Sequence, residues 1–245
     1  HSSQSSGIVL MVCVGISLMI ANSSIADSFQ ALLDQKIGTE IFQLNYPLSI
    51  WINDGLMAIF FLLVGLEIKR EIIEGELSSV KSASLPIVAA IGGMLVPALI
   101  FYAFNYGTPY EKGWAIPMAT DIAFSLAIIS MLGRKVPLSL KIFLAALAIV
   151  DDLGAIVVIA LFYTDQIHWN YLALSGLMVA ILMILNFLNF KKHVFYVIPG
   201  IILWYFMHHS GIHATIAGVL LAFTIPTNLS TTELSPLEKL EQKLH

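Results

Sequence analysis

Charged residues are scarce in this sequence. Only 11% of the 245 residues are Asp, Glu, Lys or Arg, whereas 58% are hydrophobic. Soluble domains carry about 25% charged residues, so this composition excludes an ordinary soluble protein. The mean hydropathy of +0.86 predicts instead an all-α, polytopic membrane protein.

Cysteine is almost absent as well. Cys13 is the single cysteine and lies in an apolar run, which excludes a disulfide within the chain. The net charge of −4 carries little information, because the position of the charges matters more than their sum.

Long apolar runs dominate the chain, and they predict eight transmembrane segments. Their approximate bounds are 7–21, 48–66, 85–104, 114–132, 139–163, 171–190, 194–207 and 211–225. The first and the last two are short, so we expect them to be tilted or buried by neighbouring helices. Gly92, Gly93, Ala214 and Gly218 are expected to allow close helix approach.

Basic residues alternate between the two ends of these segments. Ten of the twelve follow segments two, four, six and eight: Lys69, Arg70, Lys81, Arg134, Lys135, Lys141, Lys191, Lys192, Lys239 and Lys243. The opposite connections contain only Lys36 and Lys112. Because Lys and Arg concentrate in cytoplasmic loops, both chain ends are predicted to be cytoplasmic.

Two polar stretches flank the second segment. The loop 22–47 is expected to be external, and its IFQLNY run at 41–46 is able to form one strand of a hairpin. On the other side, EIKREIIEGEL at 67–77 continues the helix, with Glu67, Arg70 and Glu74 at ion-pair spacing. A solvated helix end accounts for most of this charge run.

Two adjacent acids stand at mid-membrane depth. Asp151 and Asp152 are the only charged residues between Lys141 and Asp165. An ionised, unpaired acid there costs on the order of 2.5–3.5 kcal/mol, so the pair requires a function or a partner. Adjacent residues project about 100° apart on a helix, so we assign one to an ion and the other mainly to proton exchange or support.

The fourth segment holds a third acid, Asp121, shortly after Pro117 and Thr120. Proline removes a backbone donor and favours a break near 116–120. The freed carbonyls and the Thr120 hydroxyl would then be oxygen ligands beside a watery cavity. The alternative is an ordinary helix with Pro117 in its first turn, which leaves Asp121 unexplained.

We count no base deep in these segments to balance the three acids. His213, near the external end of the last segment, is the nearest candidate, although a helix-end hydrogen-bonding role is the simpler interpretation. The acids must be protonated, neutralised by a bound cation, or paired with a base that this chain lacks. Each option makes protons and cations compete for the same oxygens.

Several long motifs are familiar. They are ANS at 21–23, WINDGLMAIFFLLVGLEIKRE at 51–71, AAIGGMLVPAL at 89–99, GWAIPMATDIAFSLA at 113–127, LKIFLAALAIVDDLGAIVVIALFYT at 140–164 and SGIHATIAG at 210–218. Over almost the whole chain they resemble the bacterial Na⁺/H⁺ antiporters of the NhaA type. That family is itself an example of inverted repeats and broken helices, so the resemblance implies a discontinuous fourth helix.

The resemblance also implies a function. Asp151, Asp152, Asp121 and Thr120 would form the cation and proton site. A secondary transporter of this family, which is not an enzyme, exports cytoplasmic Na⁺ (or Li⁺) for a larger number of entering protons. The cycle is electrogenic, uses alternating access, and regulates pH and sodium from the bacterial inner membrane. No cofactor and no nucleic acid partner are implied.

A regulatory site and a dimer contact are implied in the same way. A cytoplasmic funnel for activation at alkaline pH corresponds to Glu67, Arg70, Glu71, Lys239 and Glu241, and His213 is grouped with it as a candidate for pH regulation. The loop 22–47 would be the hairpin through which a homodimer forms.

The family continues beyond the point where this chain stops, with a second broken helix and an intramembrane lysine. We therefore read residues 1–245 as one transmembrane domain and the first part of a longer protein. Leu237, Leu240 and Leu244 share a helical stripe that is expected to meet nothing in this chain.

Other classes are weighed on the same residues. An intramembrane aspartyl protease is disfavoured, because no GxGD run occurs and adjacent acids cannot form a dyad across two helices. A retinal protein needs a buried lysine, which no segment offers. From the residues alone, a carrier coupling protons to an organic substrate, a channel, and a chain that transports nothing by itself stay open.

Overall fold

The computed structural model describes residues 2–118, 125, 128–129, 136–163, 166–227 and 235–244. Its helices are α1 (Ser2–Ala21), α2 (Ala26–Leu33), α3 (Leu48–Ile73), α4 (Val80–Asn105), α5 (Leu138–Phe162), α6 (Trp169–Phe187), α7 (Val194–Ser210), α8 (Ile216–Thr224) and α9 (Pro236–Leu244). Two short 3₁₀ segments, Glu76–Ser78 and Glu111–Met118, flank α4. The all-α prediction is thus confirmed for the described part of the chain.

Four of these helices are long and apolar enough to cross a membrane. They include the ranges Leu48–Ile73, Lys81–Asn105, Ile142–Phe162 and Trp169–Phe187. A fifth span is possible if α1 and α2, which are bent by 111°, count as one. The chain is therefore a multi-pass membrane protein, while the count of eight spans and the break in the fourth stay predictions.

Large apolar side chains cover the outer surface. Phe104, Leu161 and Phe187 are 84%, 71% and 89% exposed. Contiguous apolar surface of this kind marks contact with lipid or with a partner. Since lipid tails are as apolar as leucine, these side chains need no protein neighbour in a bilayer.

The main core joins α3, α6, α7, α8 and α9. Leu66, Leu182, Leu203 and Leu237 are each 0% exposed within it. Leu240 of α9 is buried there too, at 9%, so the expectation that this stripe meets nothing is wrong for Leu237 and Leu240. The physical reason is that α9 lies against the end of α8, where the Leu237 amide donates to the Pro226 carbonyl at 3.2 Å.

Helices α3 and α8 run side by side in the same direction at very short distance. A Cβ on Gly65 would lie 2.7 Å from Ala222 Cβ, and a Cβ on Gly218 would collide with the Ala58 carbonyl oxygen. The expectation for Gly218 is therefore confirmed. Gly92 has no described neighbour within 4 Å, so on this part of the structure it packs against nothing.

The loop 22–47 contains more order than its sequence indicated. Helix α2 occupies its first half, and strands β1 (Lys36–Ile37) and β2 (Tyr46–Pro47) pair antiparallel, with Ile37 opposite Tyr46. Of the IFQLNY run only Tyr46 lies in a strand, because Gly38 at φ 133° begins the turn immediately after β1.

A Gly218→Ala substitution tests the close packing of α3 and α8. We expect it to cost about 1–3 kcal/mol, as overpacking of a close contact does, and to lower the Tm of the detergent-purified full-length protein. Gly92→Ala is the control, because the added methyl meets no described atom within 4 Å and alanine favours helix. Equal Tm values for the two variants would contradict the packing.

Candidate functional site

The acid pair lies midway along α5. Asp151 and Asp152 are 13 and 14 residues from Leu138, roughly 20 Å along the helix at 1.5 Å per residue. Asp151 is buried at 2% exposure, whereas Asp152 is half-buried. The two neighbours in sequence therefore occupy different surroundings, as their angular separation requires.

Each acid shares a face of α5 with different packing residues. Ile149 packs against Val64 and Ile68 of α3, and Asp152 follows it by three residues, on the same face. Gly154 lies so close to Met94 of α4 that a Cβ there would be 2.6 Å from its methyl carbon. Asp151 precedes Gly154 by three residues and so shares that face.

The predicted partners on the fourth segment, Thr120 and Asp121, lie outside the described residues. The structure follows that segment as far as Met118, with Pro117 near the end of a 3₁₀ stretch. The Tyr163 hydroxyl donates to the Lys112 carbonyl at 2.6 Å and accepts from the Ala115 amide at 3.3 Å. These bonds fix the start of the segment at the carboxyl end of α5.

The charge run at the end of α3 is not a solvated helix end. Ile68 is 0% exposed, and the Lys69 ammonium donates to the carbonyls of Phe223 and Ile225 at 2.8 and 2.5 Å. The last carbonyls of a helix lack helical partners and carry partial negative charge, which attracts a cation. The solvated-end interpretation failed because α8 ends directly against this charge run.

The same end of α3 also holds α9. Arg70 Nη2 lies 3.2 Å from Glu241 Oε1, with side-chain exposures of 39% and 13%. Glu67 and Glu71 are half-buried on α3, and Lys239 is exposed on α9. Arg70 and Glu241, grouped by resemblance alone, are thus in contact.

His213 does not belong to this cluster. Because α3 and α8 run in the same direction, the carboxyl end of α8 lies at Lys69, while His213 precedes its amino end. The separation is about 13 Å, the length of a nine-residue helix. His213 is exposed, and its carbonyl accepts from the Ile216 amide, so grouping it with the funnel residues is corrected.

Sequence reasoning missed a further acid inside a predicted transmembrane segment. Asp54 lies within the predicted segment 48–66, and its Oδ2 is 2.9 Å from Nδ1 of His208. A scan for every acid inside an apolar segment would have found Asp54 by the criterion that found Asp151. His208 was missed because it lies one residue beyond the predicted segment 194–207.

Exchanging the charges of Arg70 and Glu241 tests the tether to α9. We expect Arg70→Glu to speed amide hydrogen exchange across Pro236–Leu244 by up to about fivefold, since a partly exposed ion pair contributes about 0.2–1 kcal/mol. The double variant R70E/E241R should restore slow exchange. Lys239→Glu, on the exposed side of α9, is the control and should leave amide hydrogen exchange unchanged. If the double variant did not restore slow hydrogen exchange, the Arg70–Glu241 ion pair would not hold α9.

Comparison with known proteins identifies the family. Residues 1–245 match the family model described as Na⁺/H⁺ antiporter 1. The Na(+)/H(+) antiporter NhaA 2 of Flavobacterium johnsoniae is 58% identical over 247 residues, which cover 100% of this chain and 60% of that protein. The NhaA antiporter of Shewanella frigidimarina is 51% identical over 246 residues, covering 98% of this chain and 61% of that protein.

The chain thus spans about 60% of the length of these two relatives. Its own residues carry the match from end to end, with the acid pair of α5 and the charge run of α3 inside the matched range. The chain belongs to the Na⁺/H⁺ antiporter 1 family.

Proposed function

We propose that the protein exchanges cytoplasmic Na⁺ (or Li⁺) for external H⁺ across the bacterial inner membrane, in an electrogenic cycle that regulates intracellular pH and sodium. The observation that carries the proposal is the Asp151 carboxyl, buried at 2% exposure halfway along an apolar helix. Family membership supports the choice of sodium over an organic substrate.

The chemistry follows from the free-energy cost of burying an ionised carboxylate away from water. A carboxylate at this depth is stabilised by a proton or by a bound cation. The two cannot occupy the same oxygens together, so binding of Na⁺ expels protons and binding of protons expels Na⁺. In this proposal Asp151, Asp152, Thr120 and Asp121 supply the oxygens, and no resident cofactor takes part.

The packing of the helices supports alternating access. Helices α3, α6, α7, α8 and α9 share one core, whereas α5 packs mainly against α4. The two groups meet where Ile149 touches Val64 and Ile68, on the face of α5 that carries Asp152. A small rotation of one group against the other would change which side of the membrane reaches this face.

The cluster at the end of α3 is proposed to regulate exchange. Glu67, Arg70, Glu71, Lys239 and Glu241 lie on the side that the distribution of Lys and Arg assigns to the cytoplasm, as does the amino terminus. Changes in their charge state would act on α9 and α8 through the Arg70–Glu241 and Lys69–carbonyl contacts.

Replacement of Asp152 tests the exchange site. Asp152→Asn keeps the size of the side chain but removes its negative charge, so we expect sodium-driven proton movement in proteoliposomes of the full-length protein to fall to background. Asp151→Asn should also impair exchange. Asp34→Asn, on the exposed loop 22–47, is the control with full activity; retained exchange in D152N would refute the assignment.

We also propose that two copies associate through the hairpin of the loop 22–47. Its apolar side chains are unusually exposed, with Ile41 at 86% and Phe42 at 62%. Exposed apolar side chains grouped in a polar loop are typical of a protein contact.

Charged substitutions at the hairpin test the dimer. Ile41→Asp combined with Phe42→Asp should convert a dimer to a monomer by light scattering after size exclusion. Thr39→Asp places a charge on the same turn without removing apolar surface, so it should stay dimeric. An unchanged mass for the double variant would show that the hairpin does not form the contact.

A further inference from the structure

A polar cluster lies at the other end of α3, away from both sites described above. Asp54 is in the π-helical turn Trp51–Leu56 of α3, and His208 is in the last turn of α7. Asp54 and Arg70 are 16 residues apart, about 24 Å along the helix. π-helical turns inside α-helices occur frequently at functional sites.

Two direct contacts join Asp54 to α7. His208 Nδ1 lies 2.9 Å from Asp54 Oδ2, and the Trp204 indole N–H donates to the Asp54 carbonyl oxygen at 2.7 Å. The Asp54 side chain and backbone are therefore both held by residues one helical turn apart on α7.

Aromatic rings enclose the imidazole of His208. Trp204 stacks on it with centroids 5.6 Å apart and an interplanar angle of 19°, and Tyr46 meets it edge-on at 4.7 Å. The His208 side chain is only 10% exposed, whereas that of Asp54 is 26% exposed. The pair is thus shielded from bulk water but reachable through its carboxylate. Stacking on an aromatic face also favours a cation.

The other titratable groups around the pair are few in the described structure. The ring of His209 meets that of His208 edge-on, with centroids 5.3 Å apart. Its Nδ1 donates to the Tyr205 carbonyl at 2.9 Å, and the Tyr171 ring lies beside it. Burial, followed by the nearby Tyr205, Asp54 and Tyr171, raises the pKa of the Tyr46 phenol above its ordinary value, so Tyr46 keeps its proton.

We propose that Asp54 and His208 form a proton-binding site, distinct from the acid pair of α5, which fastens α3 to α7 when it is occupied. Histidine ordinarily changes charge between pH 5 and 8. With a proton bound, the imidazolium and the carboxylate form a charge-assisted hydrogen bond between the two helices. Without that proton, the neutral ring retains one Nδ1–H bond at most, and Asp54 is left as an uncompensated charge in a partly buried place.

The site would respond to protons on the hairpin side of the membrane. Asp54 lies one to two turns from the start of α3, and the Trp51 indole N–H in the same π-helical turn donates to the Ile37 carbonyl of the hairpin at 2.8 Å. Loss of the Asp54–His208 contact at high pH would therefore weaken the packing of the hairpin, α3 and α7 against one another. The proposal does not depend on ion exchange by the α5 acids.

A double-mutant cycle on the full-length protein at two pH values tests this site. The variants are Asp54→Asn, His208→Gln and the two together, and the readout is the Tm in detergent at pH 6 and pH 8.5. At pH 6 we expect the Tm loss of the double variant to be smaller than the sum of the single losses, because each single variant already removes the pair. At pH 8.5 the losses should be closer to additive, because the neutral ring retains one hydrogen bond at most. Coupling of equal size at both pH values, or none at pH 6, would overturn the proposal.

Two further variants keep the test decisive. His208→Lys carries a positive charge at both pH values, so its Tm relative to the parent should rise between pH 6 and pH 8.5; an unchanged difference would also overturn the proposal. This comparison remains available if H208Q does not fold. His168→Gln removes an exposed histidine at the start of α6 and, as the control, should shift the Tm equally at both pH values. Because the readout is stability, it stands whether or not D152N abolishes exchange.

Discussion

A carboxyl group buried in the middle of an apolar helix is the constraint on which the rest of this structure depends. Water, which would normally stabilise the charge of Asp151, is excluded at 2% exposure. The group must therefore be accompanied by a proton, a cation or polar protein groups. This requirement turns a helix that satisfies every length and hydropathy criterion for an inert span into a candidate ion site.

The two helix groups are arranged around that constraint. The larger group is held by close backbone contacts, with Gly65 and Gly218 allowing α3 and α8 to touch. In the part of the chain that the structure describes, the α4–α5 group meets it through the small apolar contact at Ile149. A small apolar contact beside a half-buried acid is easier to rearrange than the tightly packed core, because far less surface must be exposed in the movement.

Polar contacts concentrate at the two ends of α3 rather than along its middle. At one end Lys69 and Arg70 bind the carbonyls of α8 and the carboxylate of α9. At the other end Asp54 binds His208 and Trp204 of α7. The apolar middle is held by the close contact with α8, whereas the ends are fastened by groups whose strength depends on charge. In the two proposals above, α3 is thus the element through which pH acts on both ends of the bundle.

The sequence by itself determined the membrane class, the helical architecture and the depth of Asp151 and Asp152, because a long uncharged run fixes both the span and its centre. The resemblance to a known family also placed Arg70 and Glu241 in one cluster. Sequence reasoning failed where the answer depended on what packs against a surface. The stripe of Leu237 and Leu240 looked unpartnered, and the charge run at the end of α3 looked solvated. Helical periodicity shows which residues share a face but not which neighbour covers it, and only the tertiary structure brought α8 and α9 onto the end of α3 and His208 onto Asp54.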